Sequence, residues 1–239
     1  MNSKLPLTLH HRDESIFAWN DEQSISHAQF ITHVYQVAEQ LENKPYVINL
    51  IKNRYLFIVA LAASLVRHQT SLLPQSRATE NILNIRNKYP HCYYLTDNNF
   101  HYEDITYCPI SSLKPITDHH TVPKIDSDHL AIITFTSGST GTPTPHKKYW
   151  GDLVTATNLA AGRFGLYNKR YNIIATVPPQ HMYGLETSVL FPMLTGNTIY
   201  GGTPFYPDDI NHISRQIDGP TFLVTTPVHL KACMSADIH

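Results

Sequence analysis

The sequence predicts an α/β fold with mostly parallel sheets flanked by helices, and three observations carry that prediction. Short, β-branched apolar runs alternate along the chain with segments of helical periodicity. The runs are apolar throughout rather than at every second residue, as strands covered on both faces require. No internal repeat or low-complexity tract breaks the alternation. With 239 residues, 42% apolar and 15% charged, the chain can bury a real core and is not a disordered one.

Ser26 to Gln29 has the form of a capping box, and Phe30, Val34, Val37 and Leu41 follow at helical spacing until Lys44 and Pro45. YVINLI (Tyr46 to Ile51) reads as a buried strand, and the apolar run Tyr55 to Val66, bracketed by Lys52, Arg54 and Arg67, as a buried helix. Ser71 to Leu73 closes a β-α-β unit. A helix over Ala78 to Tyr89 and a strand over His91 to Thr96 continue the pattern. Between Cys108 and Asp128 the chain turns polar and proline-bearing, which suits a boundary near residue 120 between lobes 1–120 and 121–239. The second lobe opens with strand Leu130 to Phe135, a Gly/Ser/Thr-rich segment, and a helix carrying Trp150, Leu153, Thr157, Ala160 and Phe164 on one face. Strand Asn172 to Val177, a loop PPQHMYGLE, an apolar helix over Thr187 to Leu194, strand TIY, a helix over Pro207 to Ile217 and strand Phe222 to Thr226 complete the order.

Composition excludes several function classes. Eighteen Lys and Arg against nineteen Asp and Glu leave a formal charge of −1, so no chain-wide field attracts nucleic acid or an anionic membrane, and any polyanion site must be local. The longest apolar run falls short of a membrane span, and no secretory h-region opens the chain, so a cytoplasmic protein is expected. Cys92, Cys108 and Cys233 share no CxxC spacing and suit reduced thiols. Fifteen histidines invite a metal, yet no HExxH occurs, His10-His11 and His119-His120 fall in loops, and His27 and His33 are off the i, i+4 spacing. No protein-ligated metal site is expected.

The informative segment is LAIITFTSGSTGTPTPHKKYW, Leu130 to Trp150. A buried strand delivers the chain to a turn, residues 136–145, where Gly138 and Gly141 allow close backbone approach. Thr136, Ser137, Ser139, Thr140 and Thr142 supply hydroxyls, and successive backbone N–H groups in such a turn can form an anion-binding nest. The pattern is neither a Walker A loop nor GxGxxG. Gly, Ser and Thr are ordinary loop residues, so it is their order that carries weight. TSGSTGTP, after an apolar strand and before a helix, resembles the phosphate-binding signature of the adenylate-forming superfamily, which includes acyl- and aryl-CoA synthetases and the adenylation domains of nonribosomal peptide synthetases. VPPQHMYGLETSVLFPMLTG resembles that family's second core motif, and QSISHAQFITHVYQVAEQL, NRYLFIVALAASLVRHQTSLLP and FLVTTPVHLKAC resemble its flanking elements. The wording PTPHKKYW and PPQHMYGLE is similar to a bacterial subgroup of small ligases found with aryl-polyene pathways.

The resemblance implies a two-step reaction. A carboxylate attacks the α-phosphorus of ATP to give an acyl-adenylate and pyrophosphate, and a thiol of CoA or a carrier protein's phosphopantetheine then takes the acyl group. It further implies that the turn holds phosphates, that Mg²⁺ arrives with ATP with Thr140 a hydroxyl contact, and that His181, Gly184 and Leu185 line the pocket for a small carboxylic acid. One departure matters. The signature usually continues Pro-Lys-Gly, whereas Pro143 is followed by Thr144 and Pro145, so Lys147 or Lys148 would have to reach the phosphates. The family's aromatic-Gly-x-Thr-Glu segment, ribose-binding Asp and C-terminal-domain Lys have no counterpart before His239. The resemblance therefore implies the N-terminal portion of an adenylating ligase, inactive by itself and prone to self-association through an apolar C-terminal edge. The alternative is a catalytically silent nucleotide-binding or interaction module, and an unrelated phosphate-binding α/β protein is the third reading.

Overall fold

The computed structural model describes residues 3–9, 12–20, 23–97, 107–109, 121–136 and 144–236. Two compact units divide the chain. The first comprises Met1–Leu7, Ala28–Lys52 and Leu56–Thr155, the second Thr8–His27, Asn53–Tyr55 and Ala156–His239. The division is thus interleaved rather than a single cut near residue 120. Strand pairing explains the difference, since Leu130–Thr136 lies beside Thr70–Leu73 and so belongs with the first unit.

The first unit is built on a six-stranded sheet. Strands β4 (Tyr46–Asn49), β5 (Thr70–Leu73), β6 (Cys92–Thr96), β7 (Tyr107–Pro109) and β9 (Leu130–Thr136) run parallel, in spatial order β9-β5-β4-β6-β7. Helix α2 (Arg54–Val66) leads from β4 to β5 and α3 (Thr79–Lys88) from β5 to β6, the crossovers that parallel pairing demands. Ile48, Leu72, Tyr94, Ile133 and Phe135 from the strands pack with Ile82 and Ile85 from α3. Each side chain of that size contributes about 1.5–3 kcal/mol on full burial. A two-stranded antiparallel ladder joins β1 (Lys4–Pro6) to β8 (Lys124–Asp126). The strand that follows the glycine-rich turn was not foreseen. β10 (Thr144–Tyr149) returns antiparallel along β9 as the sheet edge, and only then does helix α4 (Trp150–Arg163) begin.

The second unit holds a five-stranded sheet in the order β13-β11-β12-β2-β3. β11 (Asn172–Ala175), β12 (Thr198–Tyr200), β13 (Thr221–Val224) and β2 (Ile16–Asn20) are parallel, and β3 (Gln23–Ser26) folds back on β2 before α1 (His27–Gln40). After β11 the chain forms α5 (Met182–Leu185), a π-helical stretch Glu186–Leu190 and α6 (Phe191–Thr195) without a break. The helix thus starts five residues before the Thr187 that periodicity suggests, and it takes in part of the expected loop. Helices α7 (Pro207–Gln216) and α8 (Pro227–Ser235) follow β12 and β13. Ile174, Ile213 and Ile217 form one core cluster of this unit beside Trp19, Tyr200 and Leu223. Among the described residues no helix is long and apolar enough to cross a membrane.

Candidate functional site

The glycine-rich turn leaves the carboxyl end of β9, where ligands of open parallel sheets bind. Of the expected phosphate-binding residues, Ser137, Gly138, Ser139, Thr140 and Gly141 lie outside the described residues, and with them the proposed Mg²⁺ contact of Thr140. The ends of the turn are described. Thr136 and Thr144 are register partners, so the segment joins two antiparallel strands rather than a strand and a helix as its sequence suggests. Thr136 is exposed, and its hydroxyl lies 3.0 Å from His146 Nε2. His146 escaped sequence reasoning because a histidine beside two lysines reads as one more polar surface residue.

Lys147 and Lys148 stand on β10 rather than on the start of a helix. The reason is pairing: β9 offers its edge to the returning chain, and Lys147 and Lys148 lie opposite Ile133 and Ile132. Neighbouring strand residues point to opposite faces, so the two lysines do not share one. Thr144, His146 and Lys148 alternate on one face; Pro145 and Lys147 on the other. Neither β9 (LAIITFT) nor β10 (TPHKKY) carries a carboxylate, which gives the hairpin a donor-rich, cationic base suited to a phosphate chain.

In the second unit, β11 is the strand at which chain order reverses, since β12 lies on one side of it and the later β13 on the other. Its carboxyl end is the place where such sheets open a ligand crevice, and the chain leaving it is the His181 segment. His181 is exposed at the N-cap of α5, with extended backbone (φ −82°, ψ 145°), and its ring does not cap the helix. Its N–H donates to Pro178 O at 3.4 Å, and Leu185 N–H donates to His181 O at 2.7 Å. Gly184 and Leu185 are buried. A Cβ on Gly184 would sit 2.0 Å from Pro178 O, so the turn and the helix meet where only glycine fits. The structure thus brings His181, Gly184 and Leu185 into one turn-and-helix assembly of the second unit, while Thr136, Lys147 and Lys148 belong to the first.

Two features of this end of the sheet were missed. Arg54, expected as a charge flanking the apolar helix, is fully buried. Its guanidinium donates to Ala175 O at 3.0 Å, to Val177 O at 2.7 Å, and to Ser188 Oγ, whose own hydroxyl donates to Gly184 O at 2.6 Å. Burial lowers its pKa to about 10, which leaves it charged at neutral pH. One cation therefore ties the end of β11 to the π-helical stretch. The second feature is a polar row outside β11 and β13. Thr176 Oγ1 lies 2.8 Å from Thr225 Oγ1 and 3.2 Å from His229 Nδ1, and Tyr183 OH donates to Thr225 O at 3.4 Å. Phe205 meets the His229 ring edge-on at 5.0 Å. The signal lay in two Thr-bearing strand ends, ATV and VTT, which parallel pairing sets side by side.

Comparison with known proteins agrees with the fold. The solved o-succinylbenzoate CoA synthetase of Bacillus subtilis in complex with AMP superposes with a TM-score of 0.81 at 18% identity, over 98% of this chain and 65% of that one. The same enzyme with ATP and magnesium ion gives 0.79 at 18% identity, over 97% and 66%. An acyl-CoA synthetase of Brucella canis gives 0.76 at 14% identity, over 98% and 50%. At these identities the likeness is one of fold. Among curated sequences, a 4-coumarate–CoA ligase of Halorhodospira halophila is 38% identical over 74 residues, 30% of this chain and 18% of that protein. Long chain acyl-CoA synthetase 8 of Arabidopsis thaliana is 29% identical over 142 residues, 53% of this chain and 19% of that protein. The matched stretches thus span about a fifth of the curated relatives' length. The family model described as AMP-binding enzyme matches residues 45–239, most of the chain, and the chain belongs to that family.

Proposed function

We propose that this chain supplies the phosphate turn and one acid-pocket wall of an ATP-dependent acyl or aryl acid ligase, which joins a carboxylate to AMP and then to a thiol. The observation that carries the reading is the hairpin at the carboxyl end of β9, with hydroxyls at its base, lysines on its returning strand and no carboxylate on either strand. Displacement at phosphorus asks a protein mainly for alignment and for neutralisation of charge on phosphate oxygens. Thr136, Ser137, Ser139 and Thr140, the N–H groups about Gly138 and Gly141, and one of Lys147 and Lys148 fit that task. Mg²⁺ bound with ATP adds positive charge there, with Thr140 its protein contact. His181, Gly184 and Leu185 wall the acid pocket, and Arg54 fixes that wall by holding Val177 O and Ser188. CoA or a carrier-protein phosphopantetheine supplies the acceptor thiol. The free thiols of Cys92 and Cys233 accord with a cytoplasmic setting. Exposed Val228, Leu230 and Met234 on α8 support self-association.

One observation favours a second reading, a nucleotide-binding module without turnover: Thr144 and Pro145 stand where the family signature has Lys-Gly. Carboxylate-dependent ATP–pyrophosphate exchange, run on the longest natural gene product with aryl, cinnamoyl-like and fatty acids, separates the two. Exchange with any acid supports the ligase. Stabilisation by ATP in a thermal shift without exchange supports the silent module.

A further inference from the structure

Net charge leaves polyanion binding to local features, and the second unit contains a cationic cavity whose charged residues, Arg12, Lys169 and Arg170, lie outside both family motifs. A cavity of about 320 Å³ opens beside the amino ends of β11 and β12, lined by Arg12, Lys169 and Arg170 over a floor that includes Ser15, Thr195 and Asn197. That volume is at the small end of ligand pockets. No aspartate or glutamate lines it. Among the described residues none of the three cations has a carboxylate within ion-pair distance. The Arg170 pKa is lowered by burial alone.

The cavity is rigidly framed. Ser15 donates its N–H and its hydroxyl to Arg12 O, at 3.0 and 2.6 Å, which pins the turn that bears Arg12. Arg170 donates to Ile16 O. Asn197, buried, accepts from Tyr171 N–H at 2.7 Å and donates to Leu166 O at 3.0 Å and Thr195 Oγ1 at 2.6 Å. Lys169 Nζ lies 5.1 Å above the Tyr171 ring. A helix C-terminus, that of α6, also reaches this floor at Thr195 and Gly196. Its partial charge of about −0.5 is outweighed by three full positive charges.

We propose that this cavity is a binding site for a small phosphate-bearing anion, with Arg12 and Arg170 as the forked donors and Lys169 as the point charge. Guanidinium forks match tetrahedral oxyanions bidentately, and a pair of them with no competing carboxylate is chemistry that an anion completes. The site is separate from the turn at residues 136–145, which belongs to the first unit.

The test is amide NMR of the ¹⁵N-labelled full chain titrated with inorganic phosphate and with pyrophosphate, against chloride at equal ionic strength. Saturable shifts at Ser15, Gly196 and Asn197 are expected, tighter for pyrophosphate. Arg12→Glu, at an exposed position, should raise the dissociation constant read at those amides about tenfold or more while the spectrum stays folded. Lys169→Gln should raise it less. Shifts confined to the 136–145 turn, shifts that chloride reproduces, or a dissociation constant unchanged in Arg12→Glu would each overturn the proposal.

Discussion

Replacing Gly184 with alanine probes the contact on which the second motif rests. An added Cβ would lie 2.0 Å from Pro178 O, 2.9 Å from Pro178 C and 3.4 Å from Val177 Cγ2. Relaxed carbon–oxygen contacts run about 3.3–3.6 Å, so the turn or the helix must yield by about 1.3 Å or more. The obstacle is backbone, and that backbone is tethered: Val177 O and Ala175 O accept from Arg54, and Thr176 N–H donates to Val224 O at 3.0 Å. Overpacking costs about 1–3 kcal/mol where side chains can adjust, and a tethered main chain puts this case at or above the upper limit. Alanine's helix preference returns roughly 1 kcal/mol. The net expectation is a loss of about 2–4 kcal/mol, or roughly 5–15 °C in Tm for a chain of this size. Urea unfolding followed by far-UV circular dichroism measures it. Gly162→Ala is the control, because nothing lies within 4 Å of its added Cβ on α4, and it should gain up to about 1 kcal/mol. If Gly184→Ala proves as stable as the parent within about 0.5 kcal/mol, the close approach does not hold the motif and the reasoning fails.

Arg54→Met keeps most of the side-chain volume but strips the donors from Ala175 O, Val177 O and Ser188, and should cost about 3–5 kcal/mol in urea unfolding, with Arg54→Lys recovering part of it. Stability should also fall with acid below about pH 6.5 through His27, whose folded pKa is lowered by burial against a smaller opposing pull from Asp13. The unfolded chain takes up that proton first, so the contribution is complete above the unfolded pKa and is lost as pH drops; His27→Gln should flatten the slope of unfolding free energy against pH, which is at most about 1.4 kcal/mol per unit for one group. Lys147→Ala and Lys148→Ala should weaken ATP binding and pyrophosphate exchange unequally in the longest gene product. Lys148 shares its strand face with His146, which meets the Thr136 hydroxyl, so Lys148→Ala should be the more damaging, and equal or absent effects would remove both lysines from the phosphate site.

What the chain declares about its fold it declares through burial. β4, β9 and β11 are covered on both faces, so Val47, Ile48, Ala131, Ile132, Ile133, Ile173 and Ile174 form unbroken apolar runs legible without a partner in view. β10 was illegible for the opposite reason. It is an edge strand with Pro145, His146, Lys147 and Lys148, the composition that protects an edge from further pairing and also the composition of a loop. The short β2–β3 hairpin and the β1–β8 ladder likewise depend on partners remote in sequence, Ala18 on Ile199 and Leu5 on Ile125.

The site follows the same division. Its motifs were legible because a glycine-rich turn and a Pro-Pro-Gln-His turn need particular residues in particular order, whatever the tertiary context. Arg54 was not, because an arginine next to an apolar helix ordinarily has its charge in water. Here the acceptors that compensate its burial lie more than a hundred residues away, at Ala175, Val177 and Ser188. An unpaired buried cation is strongly destabilising, and one held by carbonyl dipoles at a single geometry specifies that geometry. The cost of burying Arg54 is therefore the cost of fixing the segment that leaves β11. The π-helical stretch Glu186–Leu190 carries Ser188, one of the groups that hold Arg54, and π-helical turns within α-helices are frequent at functional sites. Gly184 adds the steric half of the same constraint, for Pro178 O can lie against the helix only where no Cβ intervenes. Electrostatic tether and missing side chain act on one turn, and either alone would leave it free to shift.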